Sequence, residues 1–470
     1  MGLFVAAVDE LRPISDFLEV AMSLLSTTLK IIIERTLPLT VGLFAIMLVQ
    51  LVDSVFIGML GLDELAVHGI TLPFQAAIIG VQVGIGVAAT SIISQACGAN
   101  NRVQSTSTAT ISVLVGTVFI SLICCVLWLL ESSILKAFIA PDITAQHLNT
   151  LAEIFSFYWP FWLLSAVSVA ALYLMTCVYR ANDDTKTTGR MFLLASIINL
   201  VLDPILIFGL DMGIIGAAIA STIGYASCAH YMLVRAKKNG WLNSVSACFK
   251  TLQFMVALAR MSSATILNQL LPSVSAFICM LLISRISTDS IAFWSLLARL
   301  ESFLLVFTLG LTMSVPPMIG RYLGEKKHRE IGLALTSVSR FLILFHLVLA
   351  LALALNAWWI IPLLSNEVLI QSWFSLAVWV VPFSYAPLGL CMLVVSVFNA
   401  LGEAKLALKV SLARLFIFYV PAIWLGASTG DIINVVYSAF IANTLAGAYA
   451  WYQLNRSMSP SIPLVQVIEI

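Results

Sequence analysis

Apolar residues run along this chain in long blocks broken by short polar turns. Blocks of spanning length fall near 36–60, 65–97, 106–130, 149–179, 187–208, 213–235, 255–284, 291–320, 330–363, 368–398, 404–426 and 432–453. A bilayer core needs about 20 apolar helical residues, so the pattern predicts an all-α membrane protein with twelve spans. Several blocks are longer than that, which predicts tilted or projecting helices. The stretch before the first block reads differently. Leu11, Ile14, Leu18, Ala21 and Leu25 recur at helical spacing, with Pro13 in the first turn. That spacing predicts an amphipathic helix lying on the membrane surface.

The basic residues give the spans a direction. The N-terminal segment, the even-numbered connections and the tail carry 19 Lys and Arg, and the opposite face only Lys136 and Arg285. The remaining three, Arg299, Arg340 and Arg414, fall inside helices. The positive-inside rule then predicts a multi-pass protein of the plasma (inner) membrane with both termini cytoplasmic. Five parts follow: an N-terminal segment (1–32), a six-helix lobe (33–236), a basic linker (237–254), a second six-helix lobe (255–453) and a cytoplasmic tail (454–470).

The two lobes echo each other. SQACGANN (94–101) resembles GRYLGEKK (320–327) at an offset of 226, and CVYRANDDTK (177–186) resembles SVFNALGEAK (396–405) at 219. Each half has an even number of spans, so both enter from the same side. This predicts a parallel repeat about an axis along the membrane normal, with a central cleft between two bundles.

Composition narrows the chemistry. With 61% hydrophobic and 10% charged residues and a net charge of +1, nothing points to nucleic acid. The eight cysteines show neither metal-ligand nor disulfide spacing. No GxxxxGK[ST] sequence is present, which disfavours ATP-driven transport. No nucleophile–base spacing stands out, so an enzyme is not expected.

The intramembrane polar residues are the informative ones. Asn199 and Asp203 stand four apart on one helix face, followed by Pro204, which frees the Leu200 carbonyl and favours a kink. Asp53 lies in the first span. Counting from Arg35 and Arg190 at 1.5 Å per residue, Asp53 is about 27 Å and Asp203 about 20 Å into the membrane. Both therefore fall in the outer half of the same lobe. A carboxylate costs about 2.5–3.5 kcal/mol or more in hydrocarbon and marks a functional site by default; a buried polar cap at a helix break is the simpler alternative. Two such carboxyls in contact would titrate as a unit and could carry a proton. Arg299 and Glu301 point to different faces of the eighth span, and Glu301 with Arg414 is a candidate structural ion pair. Lone histidines such as His68 read as ordinary polar residues.

The runs LPLTVG…LVDSVFIGMLG (37–61), GVQVGIGVAATSIISQACGAN (80–100) and NLVLDPILIFGLDMGIIGAAIAST (199–222) resemble the multidrug and toxic compound extrusion (MATE) family, most closely its DinF-like branch. The resemblance implies twelve helices in two pseudo-symmetric lobes and export of amphiphilic, mostly cationic compounds in exchange for H⁺ or Na⁺. It implies an ion site at Asp53, Asn199 and Asp203, joined by the hydroxyl of Ser221. It further implies a bend at Pro38 and polar positions near the site at Tyr158 and Thr176. Acids that other branches carry in the seventh and tenth helices fall at Pro272 and Leu388 here, so a second cation site of that type is not expected.

The expected activity is thus a secondary antiporter, most simply H⁺-coupled, acting by alternating access. It would need no cofactor beyond the coupling ion and would work as a monomer in the bilayer on small amphiphilic molecules. Sodium coupling is one alternative. Another is flipping of a lipid-linked or anionic substrate, motivated by Arg299, Arg340 and Arg414.

Overall fold

A computed structural model describes residues 27–138, 145–243 and 252–458. The expected surface helix at 11–25 and most of the tail lie outside these residues, as does part of the linker. Every long element among the described residues is helical. The spans are α1 (Thr27–Leu60), α2 (Leu62–Gly98), α3 (Arg102–Leu129), α4 (Gln146–Ala181), α5 (Thr185–Gly209) and α6 (Gly213–Lys238). They continue as α7 (Gln253–Ile283), α8 (Thr288–Leu304 and Val306–Gly324), α9 (His328–Leu355), α10 (Val368–Ala400), α11 (Ala404–Ala427) and α12 (Ile432–Met458).

Eleven of these are single spans, and α8 completes the twelve as a pair of segments bent by 44° at Leu305. The ninth apolar block was expected to run to 363; it breaks at Asn356 and resumes as a short helix, Ala357–Leu364. In α10 a 3₁₀ turn, Val381–Ser384, surrounds Pro382, whose missing N–H and ring bulk explain the break.

The backbone itself records the repeat. Asn100 (φ 57°) and Lys326 (φ 59°) are both left-handed and lie 226 residues apart. Asp183 (φ 73°) pairs with Gly402 (φ 85°), and Asp211 (φ 54°) with Gly430 (φ 76°), each at 219. These are the offsets read from the sequence. Left-handed backbone is costly away from glycine, so its recurrence at matched turns is strong evidence of duplicated architecture.

The two halves meet at one end and separate at the other. At the end bearing the α1 start and α12 finish, buried clusters mix the halves: Ile32 packs with Leu335 and Val394, and Leu258 with Ala88 and Ile93. At the opposite end, Ile57, Val67 and Trp159 form a core with first-half residues only. Ile283, Phe293 and Phe374 do the same for the second half. The molecule is therefore a wedge, sealed at one end.

Glycines set the seal. A Cβ on Gly98 would strike the Arg321 carbonyl oxygen, and one on Gly324 would strike that of Gln95. Gln95 and Arg321 are repeat partners, as are Gly98 and Gly324, so the ends of α2 and α8 cross on the pseudo-two-fold axis. Hydrogen bonds fasten the crossing: Gln95 Nε2 donates to the Ala400 carbonyl at 2.7 Å, and Thr36 and Ser314 share a bond of 2.7 Å. Asp183 ties to Arg35 at 2.8 Å and to Arg321 of the other lobe at 3.3 Å. Arg180, counted in the sequence as a loop cation, is buried; its Nη1 donates to the Met313 carbonyl at 3.3 Å across the seam.

Candidate functional site

The path to the site starts where α1 and α5 cross. Gly42 and Gly189 remove the side chains there: a Cβ on Gly42 would lie 2.8 Å from the Gly189 oxygen, and one on Gly189 would meet the Pro38 backbone. Two helices rising from a close crossing stay near each other. Asp53 is then about 17 Å beyond Gly42, and Asp203 about 21 Å beyond Gly189, so both acids arrive at similar height. Helix α6 is drawn to α5 in the same way, since a Cβ on Gly224 would lie 2.9 Å from the Ala195 oxygen. That approach sets Ser221 against Asn199.

The structure gathers Asp53, Asn199, Asp203 and Ser221 into one cluster. The two carboxyls meet at one amide, the Asn199 side chain lying 3.3 Å from Asp53 Oδ1 and 3.4 Å from Asp203 Oδ1. Asn199 and Asp203 are fully buried, while Asp53 and Ser221 are half-buried. The Asn199 amide links the group. With its nitrogen toward Asp53 Oδ1 (3.3 Å), its oxygen accepts from Ser221 Oγ at 3.0 Å and from the Ser221 backbone N–H at 3.1 Å. In the reverse orientation Nδ2 reaches Asp203 Oδ1 at 3.4 Å and Ser221 Oγ at 3.0 Å, but it then opposes the Ser221 N–H, donor against donor. The first orientation satisfies both ends.

Two tyrosines close the cluster. Tyr158 of α4 and Tyr225 of α6 are buried, and both feel the charges of Asp53 and Asp203. Tyr225 was absent from the sequence reading. Its signal was available: it stands four residues after Ser221, on the same helix face. Tyr158 also meets His68 Nδ1 at 3.2 Å, so the histidine read as an ordinary polar residue touches the site's outer wall. His68 lies in the second turn of α2, at the unsealed end.

The structure does not bring Thr176 to this cluster. It lies about 27 Å along α4 from Tyr158, and its hydroxyl donates to the Tyr173 carbonyl at 2.6 Å. Pro38 sits inside an uninterrupted α1, where it serves the crossing with Gly189. The break expected at Pro204 takes the form of a π-helical turn, Ile205–Gly209, one residue later; such turns recur at functional sites.

In the second lobe, Glu301 feels the charge of Arg414 and lies close to Tyr385, whose hydroxyl makes no well-aligned hydrogen bond. No Glu301–Arg414 ion pair forms within 4 Å among the described residues. Arg414 is the second residue of another π-helical segment, Ala413–Tyr419. Arg299 is exposed. It stands one turn from Phe303, whose ring meets Phe44 of α1 at 6.0 Å, so Arg299 shares the face of α8 that looks toward the first lobe. Asp53 lies nine residues from Phe44, on the far side of α1, so the acid cluster is internal to the first lobe. Pro272 and Leu388 add no charge. Among the described residues no group of three or more His, Cys, Asp or Glu is arranged to hold a metal.

A family model described as MatE matches residues 38–205 and 264–425. Among curated proteins, an FAD transporter of Shewanella oneidensis is 26% identical over 440 residues, 92% of this chain and 95% of the relative. The multidrug export protein MepA of Staphylococcus aureus is 22% identical, covering 90% of this chain and 93% of the relative. The crystal structure of the Vibrio cholerae MATE transporter VcmN in its bent form superposes with a TM-score of 0.88. It is 36% identical and covers 94% of this chain and 99% of that one.

Proposed function

Because this chain belongs to the MatE family of membrane transporters, we propose that it is a proton-coupled exporter of amphiphilic small molecules, driven by a cation site at Asp53 and Asp203. The observation that carries this reading is the convergence of both carboxyls on the one Asn199 amide, 3.3 Å from Asp53 Oδ1 and 3.4 Å from Asp203 Oδ1. Ionised carboxylates only accept hydrogen bonds. A hydrogen bond between the two requires a shared proton, and an ionised pair there requires another cation. Asn199 and Ser221 supply the orienting bonds, and the buried Tyr158 and Tyr225 lie near enough to feel both charges.

Transport follows from a two-state equilibrium. In the sealed state the cleft opens at the end where His68 and Tyr158 lead to the acids. A proton taken from that side lowers the charge of the pair from two negative units to one, changes the α1–α5–α6 packing and lowers the affinity for bound solute. The opposite state returns the proton. Coupling requires only that proton and solute bind the two states differently. The basic connections support the sealed end as cytoplasmic in a plasma (inner) membrane; we read the working unit as a monomer.

The experiment is solute uptake into inverted vesicles, the equivalent of efflux from the cell, under an imposed pH gradient, with Asp53→Asn and Asp203→Asn variants. The reading expects loss of coupled efflux in both at normal expression; wild-type efflux in both refutes it. Collapsing the proton and sodium gradients separately distinguishes H⁺ from Na⁺.

A second reading has its own observation. Arg299 is an exposed cation on the face of α8 turned to the first lobe, and one relative is an FAD transporter. An anionic flavin nucleotide would meet Arg299 in the cleft. FAD uptake into inverted vesicles that Arg299→Gln abolishes would favour it over a cationic substrate.

A further inference from the structure

On the side of the second lobe away from the cleft lies a cavity of about 640 Å³, within the ~300–1,000 Å³ of small-molecule sites. Its floor is Pro387 and Leu390 of α10. Tyr385, which faces Glu301 and Tyr419, projects from the opposite side of that helix. The walls are α9, with Arg340, Ile343 and Leu347, and α12, with Thr444 and Trp451. Arg340, Ile343, Leu347 and Thr444 are exposed, so the groove opens outward, where lipid would lie.

Two of its groups are out of place in hydrocarbon. Arg340 is a cation about 18 Å along α9 from His328, with no ion pair or hydrogen bond to a described residue. Ser339 is 2% exposed, lines the groove, and its hydroxyl has no hydrogen-bond partner. An orphaned buried hydroxyl and an unpaired guanidinium, side by side, ask for an acceptor-rich anion. No carboxylate lines the cavity to supply it. Helical side chains lean toward the helix start, so Arg340 reaches toward the end carrying Lys326, Lys327 and Arg329. There Lys327 pairs with Glu325 at 2.6 Å, and Glu330 is the other acid. Trp451 stands near the same end of α12, a position that suits the headgroup boundary.

We propose that this groove binds one anionic phospholipid, its phosphate on Arg340 and Ser339 and an acyl chain along the apolar floor. Basic pockets between spans near the cytoplasmic leaflet take such headgroups for the same electrostatic reason. A bound lipid would brace α9 and α12 against α10, and so stiffen the lobe that must move as a body.

The test is native mass spectrometry of the delipidated full-length transporter, titrated with phosphatidylglycerol and with phosphatidylcholine of the same acyl chains. One cation facing an anionic headgroup predicts about five-fold preferential retention of phosphatidylglycerol. Arg340→Gln should remove that preference and Arg340→Lys keep most of it. Ala448→Trp, which fills the groove, should lower occupancy by both lipids. Equal retention of the two lipids by the wild type overturns the proposal, and that arm needs no variant to fold. Undiminished preference in Arg340→Gln overturns it as well.

Discussion

Adding a single methyl group at the seal should tip the conformational balance. Gly98→Ala puts a Cβ onto the Arg321 carbonyl, with the Arg321 carbonyl carbon at 2.9 Å and Cα at 3.1 Å. These are backbone atoms of a helix, so relief requires the ends of α2 and α8 to separate. Overpacking of this kind costs about 1–3 kcal/mol. Separation also stretches the Asp183–Arg321 pair, now at 3.3 Å, an exposed contact worth about 0.2–1 kcal/mol. Both costs fall on the sealed state alone, so the open-to-sealed ratio at this end should rise about 8- to 850-fold. The readout is thiol modification of Ser314→Cys, in a background without the native cysteines. Ser314 is buried behind the seal, bonded to Thr36. Its modification by a membrane-impermeant reagent from the sealed side should accelerate in proportion. Gly69→Ala is the control, since a Cβ there meets nothing within 4 Å. An unchanged rate in Gly98→Ala at normal expression would refute the glycine-crossing argument.

Other expectations follow from the same structure. Arg321→Gln removes one exposed inter-lobe ion pair and should raise the same modification rate only about 1.5- to 5-fold, well short of Gly98→Ala; a larger effect would mean the ion pair, rather than the glycine packing, holds the seal. Gly189→Leu forces α5 off the Pro38 backbone and should abolish proton-coupled efflux although both acids remain, as measured by transport in proteoliposomes at matched protein levels. Tyr225→Phe removes one hydroxyl beside the carboxyls and should shift the pH dependence of transport while leaving folding intact; an unchanged pH profile would make Tyr225 a packing residue. His68→Ala should slow proton entry from the unsealed side without altering solute affinity at equilibrium, separable by comparing transport rate with solute binding.

The architecture was legible in the sequence because each span announces itself by length. The duplication showed in two short runs whose left-handed turns, at Asn100 with Lys326 and Asp183 with Gly402, are constrained enough to persist. The acids Asp53 and Asp203 were legible because charge in hydrocarbon is expensive. Helix counting could give their heights but not their convergence; that depends on Gly42 and Gly189, which nothing in the sequence distinguishes from the other small residues of the spans. Tyr225 escaped because a tyrosine in an apolar span carries no anomaly. Thr176 was assigned by resemblance, and the rise along α4 takes it to the other end of the helix. The seal at Gly98 and Gly324 was invisible for a similar reason. Each glycine lay inside a recognised repeat, but only the folded lobes show that the two copies cross on their own axis.

The central claim is that Asp53 and Asp203 hold one exchangeable proton between them. Proton release from the purified, detergent-solubilised transporter on saturation with a transported solute, measured in weakly buffered medium with a pH dye, tests this most directly. The account predicts release of one proton per transporter from the wild type and none from Asp53→Asn or Asp203→Asn. Undiminished release from either variant, with solute still bound, would contradict it.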